Sequence, residues 1–178
     1  GFLLLAGGQS RRMGGGDKNQ LNLGGKSVLH HILDRVDRAG APTAINANGD
    51  PLRFAAYGLP VIADVVDGYA GPLAGILTGL EWIARYHPKC THMISLATDA
   101  PFLPADLALR LYTETQKGFC IAQAASNGRL HPVFAIWSIL LLPDLRSAVV
   151  EGGVRKIVHF TDRYDSSIVV FSGSPDPF

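Results

Sequence analysis

The chain has 178 residues, of which 47% are hydrophobic, 17% charged and 8% aromatic, with a formal net charge of +1. That length accommodates one domain with a sizeable core, and the ordinary apolar content excludes long disorder. No apolar run approaches the roughly 18 residues of a membrane-spanning helix, and the balanced charge argues against nonspecific nucleic-acid binding as the main task.

Residues 2–6 read as a buried strand. No initiating Met and no basic region precede it, so the start reads as cut and without a secretory signal; the end at Pro175-Asp176-Pro177-Phe178 reads as cut as well. Residues 7–18 form a loop with five glycines and three basic residues. The spacing predicts a helix over 27–39: Val28, Leu29, Ile32, Leu33 and Val36 share one face, and Gly40 and Pro42 end it. Strands are expected at 43–48 and 60–63. A helix over 73–86 follows, with Leu73, Ile76, Leu77, Leu80 and Ile83 as its buried stripe. Then come a strand at 92–97 and a helix over 104–117, with Pro104 and Asp106 favourably placed in its first turn. Strands at 119–125 and 132–137, helical segments at 140–150 and 154–160, and a strand at 167–171 complete the chain.

Strands separated by helices of this length imply βαβ units. The expected class is α/β: a single domain over 1–178, folded as a three-layer αβα sandwich around a mostly parallel, Rossmann-like sheet. In open sheets of this kind ligands bind beyond the carboxyl ends of the strands. That rule points to residues 7–18, 46–48, 64–72 and 98–101. Cys90 and Cys120 form neither a disulfide framework nor a metal-ligand spacing, which fits a reducing, cytoplasmic setting.

The loop Gly7-Gly8-Gln9-Ser10-Arg11-Arg12-Met13-Gly14-Gly15-Gly16-Asp17-Lys18 carries the strongest signal. Glycines let backbone N–H groups approach a phosphate, and Arg11, Arg12 and Lys18 add full positive charge. A structural turn needs one or two glycines, not five with three cations. The dinucleotide fingerprint G-x-G-x-x-G does not fit the glycine spacing. The P-loop G-x-x-x-x-G-K-[ST] finds its end in Gly25-Lys26-Ser27, but Gln20 stands where its first glycine belongs. Ser27 reads instead as the N-cap of the following helix.

The stretch L-A-G-G-Q-S-R-R-M-G-G-G-D-K resembles the signature of the MobA-type molybdenum cofactor guanylyltransferases. Five further segments occur in that family's order: Asn46-Ala47-Asn48, Val61-Ile62-Ala63-Asp64, Gly71-Pro72-Leu73-Ala74-Gly75-Ile76, Thr98-Asp99-Ala100-Pro101-Phe102 and Arg129-Leu130-His131-Pro132-Val133. The paired Gly7-Gly8 resembles the GTP-using branch. The resemblance implies the nucleotide-diphospho-sugar-transferase type of fold, and GTP and molybdopterin as partners. It also implies contact with molybdoenzyme maturation proteins, and Mg²⁺ as cofactor.

By that resemblance Leu5, Ala6, Gly7 and Gly8 contact the nucleotide and Lys18 meets its phosphates. Arg12 is the candidate for the pyrophosphate leaving group, and Arg11 is the expected solvated member of the pair. Asn46 matches a guanine-site asparagine; read alone, it is equally a turn residue beside Asn48-Gly49-Asp50. Asp64 matches an aspartate that accepts from the guanine ring; read alone, it is an ordinary strand-end residue. Asp99 is expected to hold Mg²⁺, because that ion keeps several waters and takes few protein ligands. Gly75 and Gly79 fit either close ligand approach or close helix–sheet packing. Arg129 and His131 border the acceptor pocket in the family, and His131 is equally a satisfied structural histidine. The family's N-x-N-T-P-E-D-type segment is expected shortly beyond residue 178.

The expected reaction is guanylyl transfer: a molybdopterin phosphate oxygen attacks the α-phosphate of GTP and pyrophosphate leaves. Arg12, Lys18 and Asp99 are the expected catalytic residues. The alternatives are a molybdopterin cytidylyltransferase or another small-molecule nucleotidyltransferase, and a nucleotide-binding module without turnover.

Overall fold

A computed structural model of the chain describes residues 1–7, 22–36, 40–66, 68 and 71–178. Gly8, Arg11, Arg12, Lys18 and Asp67 lie outside the described residues. Seven strands form the main sheet: β1 (Phe2–Leu5), β4 (Thr43–Asn46), β5 (Val61–Ile62), β6 (His92–Ala97), β7 (Ile121–Ser126), β8 (Arg129–Ser138) and β9 (Ser167–Val170). A two-stranded hairpin, β2 (Asn22–Leu23) and β3 (Lys26–Ser27), precedes helix α1 (Val28–Arg35). The other helices are α2 (Pro72–Tyr86), α3 (Leu107–Thr115), α4 (Leu142–Val150) and α5 (Ile157–Thr161), and 3₁₀ turns span Pro51–Tyr57 and Ile139–Leu141.

The strand order is β5-β4-β1-β6-β8-β7-β9. Pairings β4–β5, β1–β4, β1–β6 and β7–β9 are parallel, while β8 runs antiparallel to both its neighbours. Six of the seven strands therefore point the same way, and their carboxyl ends share one edge. The reversal of β8 has a local cause. Asn127 (φ 47°) and Gly128 (φ 75°) make a two-residue turn with both centres left-handed, the geometry that joins antiparallel strands.

Each strand face packs against its own helical layer. Phe2, Leu4, Ile45 and Leu96 meet Leu29, Ile32 and Leu33 of α1 and Leu107 and Leu111 of α3. Leu3, Ala44, Met93 and Trp137 meet α2, α4 and α5. The unbroken apolar run of β1 follows from burial on both faces. All five residues of the expected α2 stripe are fully buried. Gly79 belongs to this packing: a Cβ there would come within 2.6 Å of Met93 Sδ.

Ser27 is the N-cap of α1, its hydroxyl accepting from the His30 N–H at 3.2 Å. Lys26 pairs instead with Asp34 at 2.7 Å on the exposed side. Both residues are thereby committed to local structure, in keeping with the rejection of a P-loop. Asp106 occupies the N-cap position of α3 but makes no side-chain capping bond; it pairs loosely with Arg110 at 3.8 Å.

The C-terminal segment folds back onto the β7–β8 turn. Ser126 Oγ donates to Asp176 Oδ1 at 2.7 Å and lies 2.7 Å from His131 Nε2. With the hydroxyl proton given to Asp176, Nε2 carries the proton between them. The His131 ring stacks on Phe178 with centroids 4.7 Å apart. Burial holds the His131 imidazole below its ordinary value, with Asp176 pulling it up and Arg129 pulling it down.

Leu77→Ala should cost roughly 2–5 kcal/mol of unfolding free energy in urea, whereas Leu109→Ala, at a position 68% exposed, should stay within about 0.5 kcal/mol. Because the folded His131 binds its proton less readily than the unfolded one, its contribution is complete above the ordinary histidine value and is lost as pH falls. A His131→Gln chain should therefore show a shallower loss of stability between about pH 7 and 5 than the unsubstituted chain. Identical slopes in thermal melts would show that His131 does not titrate there.

Candidate functional site

At the carboxyl edge of the sheet the register puts Leu5 of β1 level with Asn46 of β4 on one side and Ala97 of β6 on the other. The alignment continues past the strands. Ala6 N–H donates to Asn46 O at 2.9 Å, Ala47 N–H to Ile62 O at 3.1 Å, and Thr98 Oγ1 to Leu5 O at 3.3 Å. A cavity of about 290 Å³ opens there, bounded by Leu5, Gly7, Asn46, Asn48, Asp64, Gly71, Pro72, Ala97 and Val133. This cavity lies where the parallel-sheet rule places ligands.

Three polar side chains in its lining form one cluster. Asn46 is 4% exposed. Its Nδ2 donates to Ile62 O at 3.2 Å and to Asp64 Oδ1 at 2.9 Å. Asn48 Nδ2 donates to Asp64 Oδ2 at 2.8 Å, and the Asp64 N–H returns to Asn48 Oδ1 at 2.9 Å. Each carboxylate oxygen of the half-buried Asp64 thus takes one amide donor and keeps acceptor capacity toward the cavity. The arrangement is suited to a ligand edge that presents adjacent N–H donors.

Two glycines and a helix end make room above this cluster. Gly7 is exposed and approaches Asn46 Oδ1, which lies 4.0 Å from where its Cβ would stand. Gly75, one turn into α2, faces Leu5 and the same amide; a Cβ there would sit 2.6 Å from Leu5 Cδ2 and 3.2 Å from Asn46 Cγ. Its smallness serves helix–sheet packing and cavity shape at once. Gly71 turns the chain into α2 with φ 79°, and Pro72 occupies the first helical turn as expected. The N-terminus of α2 therefore opens at the cavity wall.

The opposite wall comes from an irregularity in β8. Its pairing with β7 jumps from Ala135 opposite Gln123 to His131 opposite Ala124, so residues 132–134 bulge out. Pro132 has no N–H to lose there. The fully buried Ser95 stabilises the bulge: its Oγ donates to Val133 O at 2.6 Å and accepts Trp137 Nε1 at 2.9 Å.

Among the expected residues, the structure brings Leu5, Ala6, Gly7, Asn46 and Asp64 together. Asp99 is exposed, two residues beyond Ala97 of the cavity wall, and makes no side-chain hydrogen bond to the described residues. Thr98, whose Oγ1 donates to Leu5 O at 3.3 Å, directly precedes Asp99 in sequence. Gly8, Arg12 and Lys18 lie outside the described residues. His131 is engaged by Ser126 and Phe178. Sequence reasoning assigned no role to Asn48, reading it as part of a turn; its signal was the Asn-x-Asn spacing at a strand end.

The MobA-like NTP transferase domain model matches residues 2–166. The molybdenum cofactor guanylyltransferase of Bradyrhizobium sp. (strain ORS 278) is 49% identical over 178 residues, covering 99% of this chain and 84% of that one. That of Rhodopseudomonas palustris (strain BisB5) is also 49% identical, over 99% of this chain and 85% of its own. Among solved structures, molybdopterin-guanine dinucleotide biosynthesis protein A from Archaeoglobus fulgidus superimposes with a TM-score of 0.74 at 22% identity, over 95% of this chain and 82% of that one. The 4-diphosphocytidyl-2C-methyl-D-erythritol synthase of Anaerococcus prevotii gives 0.73 at 13% identity, over 99% and 88%, so this fold is shared by enzymes of other substrates. The chain belongs to the MobA-like NTP transferase domain family.

Proposed function

We infer that the chain transfers GMP from GTP to a phosphate of molybdopterin, releasing pyrophosphate and forming the guanine dinucleotide cofactor. The observation that carries this reading is the Asp64 carboxylate, held by Asn46 and Asn48 at the mouth of the carboxyl-edge cavity. Guanine presents an N1–H and a 2-amino group side by side, so two carboxylate oxygens meet two donors. Adenine and cytosine offer no such adjacent pair, and this disfavours the cytidylyltransferase alternative. The relatives named guanylyltransferases, nearly half identical over almost the whole chain, support the same assignment.

The acceptor is a phosphate oxygen that already carries charge, so no residue need act as nucleophile or strong base. Catalysis then rests on alignment and on neutralising charge at the phosphates. The sugar and base lie along Leu5, Gly7 and Asn46, and the triphosphate runs toward the 7–18 segment. Lys18 meets the phosphates there and Arg12 the departing pyrophosphate. The α2 N-terminus favours negative charge at the same wall. A Mg²⁺ ion fits the donor set: one exposed carboxylate, Asp99, with no cluster of three His, Cys, Asp or Glu among the described residues. Such sparse protein ligation suits an ion that is held mainly by substrate phosphates and water. When bound, it would neutralise phosphate charge. Both cysteines are free, consistent with the reducing cytoplasm in which we place the reaction.

Thermal melts with each nucleoside triphosphate test the reading. GTP at about 100 times its dissociation constant should stabilise by roughly 2.7 kcal/mol, raising Tm by roughly 5–11 °C, and CTP should not match it. An equal or larger shift with CTP would overturn the guanine assignment. Asp99→Ala should lower turnover of GTP with molybdopterin at least about tenfold, or about 1.4 kcal/mol of transition-state stabilisation. A near-normal rate at saturating Mg²⁺ would remove Asp99 from the mechanism.

A further inference from the structure

A carboxylate reads two adjacent donors only if its plane is fixed. The terminal torsion of an aspartate is broad, so position along the chain does not fix it. In this site the plane is set by two amides, one on each oxygen: Asn46 on Oδ1 at 2.9 Å and Asn48 on Oδ2 at 2.8 Å. Asn46 is anchored by burial and by Ile62 O. Asn48 is anchored differently. Its Oδ1 holds the Asp64 N–H at 2.9 Å, so it clasps both the backbone and the side chain of that residue. Its own carbonyl accepts Arg53 Nη2 at 2.9 Å, while Arg53 Nε donates to Asp50 O at 3.1 Å. Asp50 in turn caps the Pro51–Tyr57 turn through the Leu52 N–H at 2.9 Å, and that turn is seated by the fully buried Phe54. Asn48 is thus the end of a rigid brace that reaches Asp64 from the β4 side.

We propose that Asn48 is a positioning residue for base specificity: it orients Asp64 so that the second carboxylate oxygen meets the 2-amino group of guanine. The proposal rests on the reading of Asp64 as the guanine acceptor. Without the brace, the carboxylate keeps its bond to Asn46 and turns about it. One contact to the ring N1–H then survives, and the contact to the 2-amino group is lost. A residue that merely anchored the loop would affect every nucleotide alike. A residue that orients the carboxylate affects GTP more than ITP, whose hypoxanthine ring keeps N1–H and lacks the 2-amino group.

The test is calorimetric titration of the full chain with GTP and ITP in the presence of Mg²⁺ and without acceptor. The unsubstituted chain should prefer GTP. In Asn48→Ala the GTP dissociation constant should rise about tenfold, the scale of one hydrogen bond to a charged group, and that of ITP by a clearly smaller factor, so the preference shrinks. Asn48→Asp keeps the side-chain volume and the acceptor for the Asp64 N–H, but replaces the donor with a second carboxylate. It should lose the preference too, and it supplies the reading if the alanine chain does not fold. Equal weakening of GTP and ITP, or no weakening, overturns the proposal. Asp64→Ala separates the two levels. If it retains the GTP-over-ITP preference, the guanine reading itself fails; if it loses the preference and both Asn48 variants keep it, only the role of Asn48 fails.

Discussion

The molecule is organised around the hydrogen-bonded placement of β1 between β4 and β6. That strand is apolar throughout, with Phe2 and Leu4 committed to one helical layer and Leu3 to the other. A slip of one residue would exchange the two faces, so burial on both sides locks the register. The locked register brings Leu5, Asn46 and Ala97 level, and it delivers three following segments to one edge. The cavity exists because these strands stop together while the chain continues in loops. The antiparallel β8 completes it from the far side, where its bulge turns Val133 toward the opening.

At that edge the bonds that satisfy the core also shape the cavity. Asn46 is buried at the end of a core strand, where an unpaired amide would be costly. Ile62 O and Asp64 accept its two N–H groups, and this satisfies the core. The same contacts hold a carboxylate in one orientation at the cavity mouth. In the proposed function its remaining acceptor capacity serves the guanine edge. Gly75 shows a similar double use, since any side chain there would strike both Leu5 of the sheet and the Asn46 amide.

Much of the layer architecture was legible in the amino-acid pattern. The stripes of α1 and α2, the N-cap at Ser27 and Pro72 in the first turn of α2 follow from helical periodicity and from backbone donors that need partners. These are local effects, and local effects survive in a single sequence. Three features escaped. The short hairpin at 22–27 has no alternating apolar run to announce it. The direction of β8 was encoded in Asn127-Gly128, but a turn only becomes an orientation once the strands on either side are known to pair. His131, which looked equally suited to an acceptor pocket, is held by Ser126 and Phe178, partners that no spacing rule would bring to it.

By itself the sequence determined the alternation of strands and helices, and the two-sided burial of the central strands. It also determined the glycine-and-cation character of segment 7–18. Each depends on side-chain type at short spacing. Only the tertiary structure decided that Asn46, Asn48 and Asp64 form one hydrogen-bonded unit, because 16 residues separate Asn48 from Asp64 and only the β4–β5 pairing closes that distance. Orientation of a carboxylate is a property of what surrounds it in space, and a linear pattern has no means of stating it.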